Sequence, residues 1–355
     1  FTADEVANID NAALENFIDR GTVWKQHVAN TPMLSAFNQA AGKFSGGKEN
    51  VSFAVKAGHG GGTLSGYSGD GQVNYYNPTG IKRARFPWKE HHIGMLVTHT
   101  ELKTDGIEIV EDAGQETTRE MSGREEQALA DILDEKLDTL GEDYAFSLDR
   151  LLHGDGTVDA KAIAGIRSLI LDNPFASTTG GINRVVNTWW RNRAATTAAA
   201  GAGGQGPITV ATTNGGALIE FMDKEVRARS KYKNGSTNVR YFAGSDFLDG
   251  YKKELRANGS YSQTGWNAGN TDGSMPDPKH DGLNIVWDPT LDDLGYAKRC
   301  YAIDMGRSGL RMLYMNGQRM KKHKPARPYD RYVMYNGITM TGVLIAKQLN
   351  TSGVY

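Results

Sequence analysis

The sequence predicts an α+β protein built on one long helix, and three observations carry that prediction. From about Glu116 to His153, the apolar residues Leu129, Ile132, Leu133, Leu137, Leu140, Tyr144, Leu148, Leu151 and Leu152 are spaced by one, three or four. That spacing keeps them on one side of a 3.6-residue helix. Between Val51 and Thr100 the apolar period falls to two, as in strands. The middle third then alternates helical and extended segments, the mark of an α/β or α+β unit.

The long helix carries Glu125, Glu126, Asp131, Asp134, Glu135, Lys136, Asp138, Glu142 and Asp143 opposite its seam, and Gly154, Asp155 and Gly156 end it. At 1.5 Å per residue it is a rod of roughly 55 Å. A rod that long could be half of a coiled coil, but its apolar positions lack sustained heptads and Gly123 and Gly141 would weaken it in isolation; a long core helix of an enzyme is the other reading.

Ahead of the rod, Thr2 and Glu5 form a capping box for a short amphipathic helix, and Thr31-Pro32 can open a second one. These make an N-terminal arm with little core of its own. Val51, Phe53 and Val55 alternate with polar or small residues as a strand, and extended segments recur from Ile81 to Trp88 and from His92 to Thr100. Gly58 to Gly80, with eight glycines, reads as the tip of a two-stranded arm. A lone hairpin is marginal in water, so this arm is expected to find a partner surface.

Beyond the rod, Ala160 to Leu171 reads as a weak helix and Ala194 to Gly206 as a surface loop. Leu218, Phe221, Met222 and Val226 define a helix, Val239 to Ala243 a strand, and Asp246 to Leu255 a helix capped from Ser245. Asn258 to Gly282 is loop. Strands follow at Leu283 to Trp287, Arg299 to Ile303, Leu310 to Tyr314 and Tyr332 to Met334, with a last segment from Ile338 to Ala346.

Forty basic and forty-one acidic residues give a net charge of -1, so the totals do not predict a dedicated nucleic-acid or membrane binder. No apolar run approaches the ~20 residues that span a bilayer. The one cysteine, Cys300, forms no internal disulfide and reads as a buried small hydrophobe. Phe1 is a bulky first residue that resists the usual methionine removal, which points to an endoproteolytic end or a truncation.

Several short motifs look chemical and fail on their context. Gly42 to Lys48 spells a phosphate loop, yet Glu49 stands where a metal-binding hydroxyl is needed. Gly201, Gly203 and Gly206 match a dinucleotide fingerprint, but Pro207 and a β-like run follow instead of a helix. His59 to Gly62 lacks the nucleophile elbow that an oxyanion loop requires. His91, His99 and Glu101 are suitable metal ligands, which keeps a metal-dependent hydrolase as an alternative, although exposed strand histidines are the preferred reading. Two basic clusters stand beside aromatics: Lys82, Arg83, Arg85 with Phe86 and Trp88, and Lys321, Lys322, Lys324, Arg327 and Arg331 with Tyr329 and Tyr332. Such clusters suit nucleic acid or the acidic face of a neighbouring subunit, and the acidic rod favours the second.

The stretch GGINRVVNTWWRN, from Gly180 to Asn192, resembles a segment of tailed-phage major capsid proteins, and Tyr329 to Tyr355 looks like their closing strands. Its motif residues are Gly181, Asn183, Arg184, Trp189, Trp190 and Arg191. The order of elements agrees over nearly the whole chain, while only the Trp189-Trp190-Arg191 region is a specific match. This resemblance implies the Hong Kong 97 (HK97-type) capsid fold. An N-terminal arm would occupy 1–48, an E-loop 49–100, a peripheral domain 101–159 and 299–355, and an axial domain 160–298. It also implies a shell protein and not an enzyme, without cofactor, forming pentamers and hexamers of its own copies in a virion put together in the host bacterial cytoplasm. Scaffold, portal and decoration proteins, and weak contact with packaged DNA, belong to the same expectation. Lys56 and Lys82 are candidate donors for the Lys-Asn cross-links some families form, although no pattern selects them. An encapsulin-like compartment is the alternative within the fold.

Overall fold

A computed structural model describes residues 30–46, 49–57, 62, 64–77, 80–98, 100, 104, 123–210, 216–257, 278–323 and 333–355. The chain divides into units Phe1–Asn30 and Thr31–Tyr355, and the described residues lie, but for Asn30, in the second. The expected opening helix, the rod before Gly123 and most of the loop from Asn258 fall outside them. No helix among the described residues is long and apolar enough to cross a membrane.

Helix α1 (Pro32–Gln39) starts where Thr31-Pro32 predicts, but the Thr31 side chain makes no capping bond; its carbonyl accepts the Ser35 N–H instead. Met33, Leu34, Ala36 and Phe37 are buried, so this part of the arm joins the main core. After β1 (Gly42–Phe44), strands β2 (Asn50–Lys56) and β3 (Ile81–Pro87) pair antiparallel along their whole length and form the expected arm. One residue later, β4 (Lys89–Thr98) leaves the hairpin for another sheet.

That sheet is built on β14 (Val333–Ala346), a continuous strand where the sequence suggested two segments. Asn336-Gly337 has turn composition, yet ten registered pairs with β4, from Val333 opposite Thr98 to Gly342 opposite Lys89, hold it extended. On its other side β14 pairs with β12 (Leu310–Met315) and β13 (Lys321–His323), and β1 adds to β12 in parallel.

The long helix α2 (Gly123–His153) packs Leu140, Leu148 and Leu152 into the core, and Tyr144 reaches Met340 of β14. Ala160 to Leu171 is helical only over α3 (Ile166–Leu169). Gly165 explains the shortfall: a Cβ there would lie 2.4 Å from the Leu151 and Leu152 carbonyl oxygens and 2.5 Å from that of Gly154. The chain is pressed against the end of α2 at that point. Two-residue strands β5 (Thr178–Thr179) and β6 (Ile182–Asn183) follow, then β7 (Arg193–Ala194). The supposed surface loop holds helix α4 (Thr197–Gly201), capped by the Thr196 hydroxyl on the Ala199 N–H.

Helix α5 (Ala217–Ser230) has no local side-chain cap; the buried Glu254 carboxylate accepts the Leu218 and Ile219 N–H groups. Strand β8 (Val239–Ala243), helix α6 (Ser245–Ala257) and β10 (Leu283–Trp287) form a βαβ unit with parallel strands. Ser245 does not cap α6 from outside; it lies inside the helix, and its N–H donates to Asp292. Strand β9 (Lys279–His280) edges β10, and α7 (Pro289–Asp293) leads to β11 (Cys300–Asp304). With β15 (Gly353–Val354), these complete a six-stranded sheet ordered β7-β15-β11-β8-β10-β9. Strands β11 and β15 therefore sit with the middle segment, not with β12 and β14. One face of this sheet, through Tyr301 and Ile303, joins the large core with α2, and the other, through Cys300 and Ala302, joins α5 and α6. Cys300 is fully buried, and burial pushes its thiol up to about 12, so it packs as a hydrophobe.

The backbone atoms against Gly165 belong to a helix end and cannot yield as a side chain would. Gly165→Ala should therefore lower stability by about 3 kcal/mol, at the upper end of ordinary overpacking, read as a shifted urea midpoint.

Candidate functional site

The expected contact residues fall into three places. On the hairpin, Val51, Phe53, Ala84 and Phe86 share one face, and Phe53 stacks on Phe86 with ring centroids 5.9 Å apart. Register puts Arg83, Arg85 and Lys56 on the opposite, exposed face, while Lys82 lies on the inner face but beyond the body, exposed as well. None of the four pairs with a carboxylate among the described residues. Leu64, Tyr67, Tyr75, Tyr76 and Ile81 are also exposed, Tyr75 at 93%. Trp88 is not on the free arm: it is half-buried between β3 and β4, 5.8 Å from the Phe44 ring.

The hairpin root rests on the tryptophan loop. Gly180 and Gly181 take positive φ, 59° and 80°, in a two-residue turn between β5 and β6, where side chains are disfavoured. A Cβ on Gly180 would meet the Phe86 ring at 2.9 Å, and the Gly180 carbonyl accepts the Arg85 N–H. Asn183 ties the next turn through Val185 N–H and Asn187. Trp190 is 1% exposed, donates its indole N–H to the Thr179 carbonyl at 3.0 Å, and meets the half-buried Trp189 at a tilt. Arg184 is fully buried. It donates to the Thr179 hydroxyl, the Asn192 side chain and the Leu169 carbonyl, three neutral acceptors, and burial pulls its pKa down to about 10. Arg191 donates to the Arg184 and Val185 carbonyls and covers the Phe175 ring. The motif residues thus hold one another, which makes this loop a fixed seat for the hairpin.

In the third place, Lys321 and Lys322 are exposed on β13, while Lys324, Arg327 and Arg331 lie outside the described residues. His99 and Glu101 do as well. His91 is not the exposed strand histidine expected: it is half-buried, its Nε2 accepts the Ile163 N–H at 3.1 Å, and burial lowers its pKa. That bond occupies the lone pair a metal would need on Nε2.

A cluster that sequence reading missed sits at the end of α2. Asp149, His153 and Asp288 are fully or almost fully buried and bring ligand-type atoms within 4.8 Å of one another. The four-residue spacing of Asp149 and His153 on a helix is visible in the sequence; nothing there points to Asp288.

No sequence-family model matches the chain, and no curated protein sequence does. The geometry above defines an α+β fold, and solved structures share it. The capsid asymmetric unit of cyanophage A-1(L) matches with a TM-score of 0.62 at 15% identity, over 94% of this chain and 94% of that one. The capsid of cyanophage P-SCSP1u matches at 0.52 and 12% identity, covering 92% and 88%. The mature capsid of bacteriophage PhiM1 matches at 0.52 and 10%, covering 94% and 89%. The chain has the Hong Kong 97 type fold of tailed-phage capsid proteins, as the tryptophan loop and the order of elements led one to expect.

Trp190→Ala should destabilise the protein by about 4 kcal/mol, the usual loss for a buried large aromatic. Trp189→Ala should lose markedly less, and chemical denaturation of the two variants side by side checks the difference.

Proposed function

We propose that this chain is the major capsid protein of a tailed double-stranded DNA bacteriophage, a tile that assembles as pentamers and hexamers into the icosahedral head. The observation that carries this reading is the match over 94% of the chain to a phage capsid asymmetric unit, reinforced by an arm whose outer half is exposed among the described residues, Leu64, Tyr67, Tyr75, Tyr76 and Ile81 included. In this reading β2, β3 and their tip are the E-loop, the sheet of β14 with α2 is the peripheral domain, and the six-stranded sheet is the axial domain. The role is structural, and the place of action is the virion.

The arm meets a second copy through two kinds of surface. Its aromatic tip offers apolar area, and Lys56, Arg83 and Arg85 offer positive charge to the acidic side of a neighbour's α2, where Asp138 and Asp143 are exposed. Unlike patches on one subunit are what ring-closing contacts require. Lys321 and Lys322 on β13 are candidates for weak, salt-sensitive contact with packaged DNA. Scaffold and portal proteins would complete the assembly.

Electron microscopy of the expressed protein tests the reading, with closed shells expected and monomers under all assembly conditions against it. Two variants test the arm. Deleting Gly58 to Gly80 should leave a folded subunit that no longer forms shells. Reversing Lys56, Arg83 and Arg85 to Glu should raise the subunit concentration needed for assembly about tenfold at physiological salt, since exposed pairs contribute up to ~1 kcal/mol each. Light scattering against concentration measures it.

A further inference from the structure

Strand β15 lies between β7 and β11 and is bonded on both edges. On one edge the Arg193 N–H donates to the Ser352 carbonyl at 3.0 Å, and the Ala195 N–H to that of Val354 at 2.9 Å. On the other, Cys300 and Tyr355 exchange N–H···O bonds of 2.8 and 2.9 Å, and the Asp304 N–H donates to the Ser352 hydroxyl. The Thr351 hydroxyl donates to the Asp304 carboxylate at 3.0 Å. Among the described residues, β7 joins the six-stranded sheet only through β15. Both walls thus precede in sequence the strand that joins them.

The segment feeds both cores. Leu349 and Val354, each at most 1% exposed, belong to the core of α2, and Tyr355 to that of α5 and α6. The Tyr355 ring meets Phe221 edge-on with centroids 5.4 Å apart, and its hydroxyl donates to Glu225 Oε2 at 3.1 Å. That buried oxygen also accepts Arg193 Nε, from β7, at 2.9 Å. The Arg229 guanidinium lies over the ring, 5.9 Å from its centroid. Gly353 lets the phenol fold back along the strand. A Cβ there would lie 2.5 Å from the Tyr355 hydroxyl oxygen and 3.0 Å from Arg193 Cβ, and would push the phenol off Glu225.

We propose that the space between β7 and β11 is a peptide-binding site, a slot that recognises the extended sequence LNTSGVY and accepts it from a separate peptide as well as from the chain itself. Main-chain bonds on two open edges supply the attachment, and side chains on alternate faces supply the choice. An arbitrary apolar strand does not fit, because it would leave the Glu225 carboxylate and the Asp304 N–H short of a buried partner. With the slot empty, β7 has no ladder partner and each core lacks part of its filling. Holding residues 349–355 elsewhere would therefore keep the sheet from closing. The site belongs to the fold and stands independently of the shell role.

The test uses the full chain with a protease recognition sequence inserted after Lys347, which is exposed just beyond β14. After cutting, native mass spectrometry should find Gln348 to Tyr355 still bound, and a fluorescent synthetic peptide of that sequence should exchange into the slot, read by anisotropy. Peptides carrying Gly353→Ala or Val354→Asp should not enter. Tyr355→Phe should compete about tenfold more weakly, through loss of one buried hydrogen bond to a charged acceptor. Should the insertion prevent folding, amide exchange on the chain without it decides. Corrected for intrinsic rate, Arg193, Ala195, Cys300 and Tyr355 should exchange at one rate, faster than Tyr241 of β8, and Tyr355→Phe should quicken all four by the same factor. Loss of the cut segment with no uptake of the synthetic one, uptake of the reversed sequence as readily as the true one, or separate exchange rates for the two walls would each overturn the proposal.

Discussion

The pairing of β14 with β4 is the constraint on which the rest of the structure depends. Ten registered pairs join residues 89–98 to residues 333–342, and a one-residue slip would turn every side chain of the shared face outward. With that register set, Trp88 is left as the single residue between two sheets, and the hairpin must project from where β4 begins. Met340 is likewise brought under Tyr144 of α2, so the long helix and the closing strand find each other through the same alignment. The hairpin root is then pinned a second time, by the glycine turn beneath Phe86.

What could be read from the residues divides along physical lines. Elements whose apolar spacing matches their own core face were legible: β8 and β10 run between the expected residues, and α5 follows from Leu218, Phe221, Met222 and Val226. Elements decided by contacts far along the chain were not. Residues 335–337 were left between two expected segments until β4 supplied their hydrogen bonds, and α4, nearly all alanine and threonine, has no amphipathic stripe to announce it. Gly165 was read inside a helix because the helix end that crowds it cannot be seen locally.

The functional residues follow the same division. The tryptophan loop was legible only as a resemblance to a known family, and the bonds that tie Arg184 to Leu169, Thr179 and Asn192 had no signal of their own in the residues. The basic residues of the arm were legible as a cluster but not as a surface, since only the register with β2 separates Lys82 from Arg83 and Arg85. Asp288 had no such signal. It meets His153 across 135 positions, and an aspartate before Pro-Thr reads first as the start of a helix, which it also is.

Strand β11 places Tyr301 and Ile303 in one core and Cys300 and Ala302 in the other. A strand shared in this way makes the two cores thermodynamically inseparable, because neither can melt while its common wall stays ordered. The protein is then expected to fold and unfold as one piece, with no stable form in which one sheet is complete and the other is not.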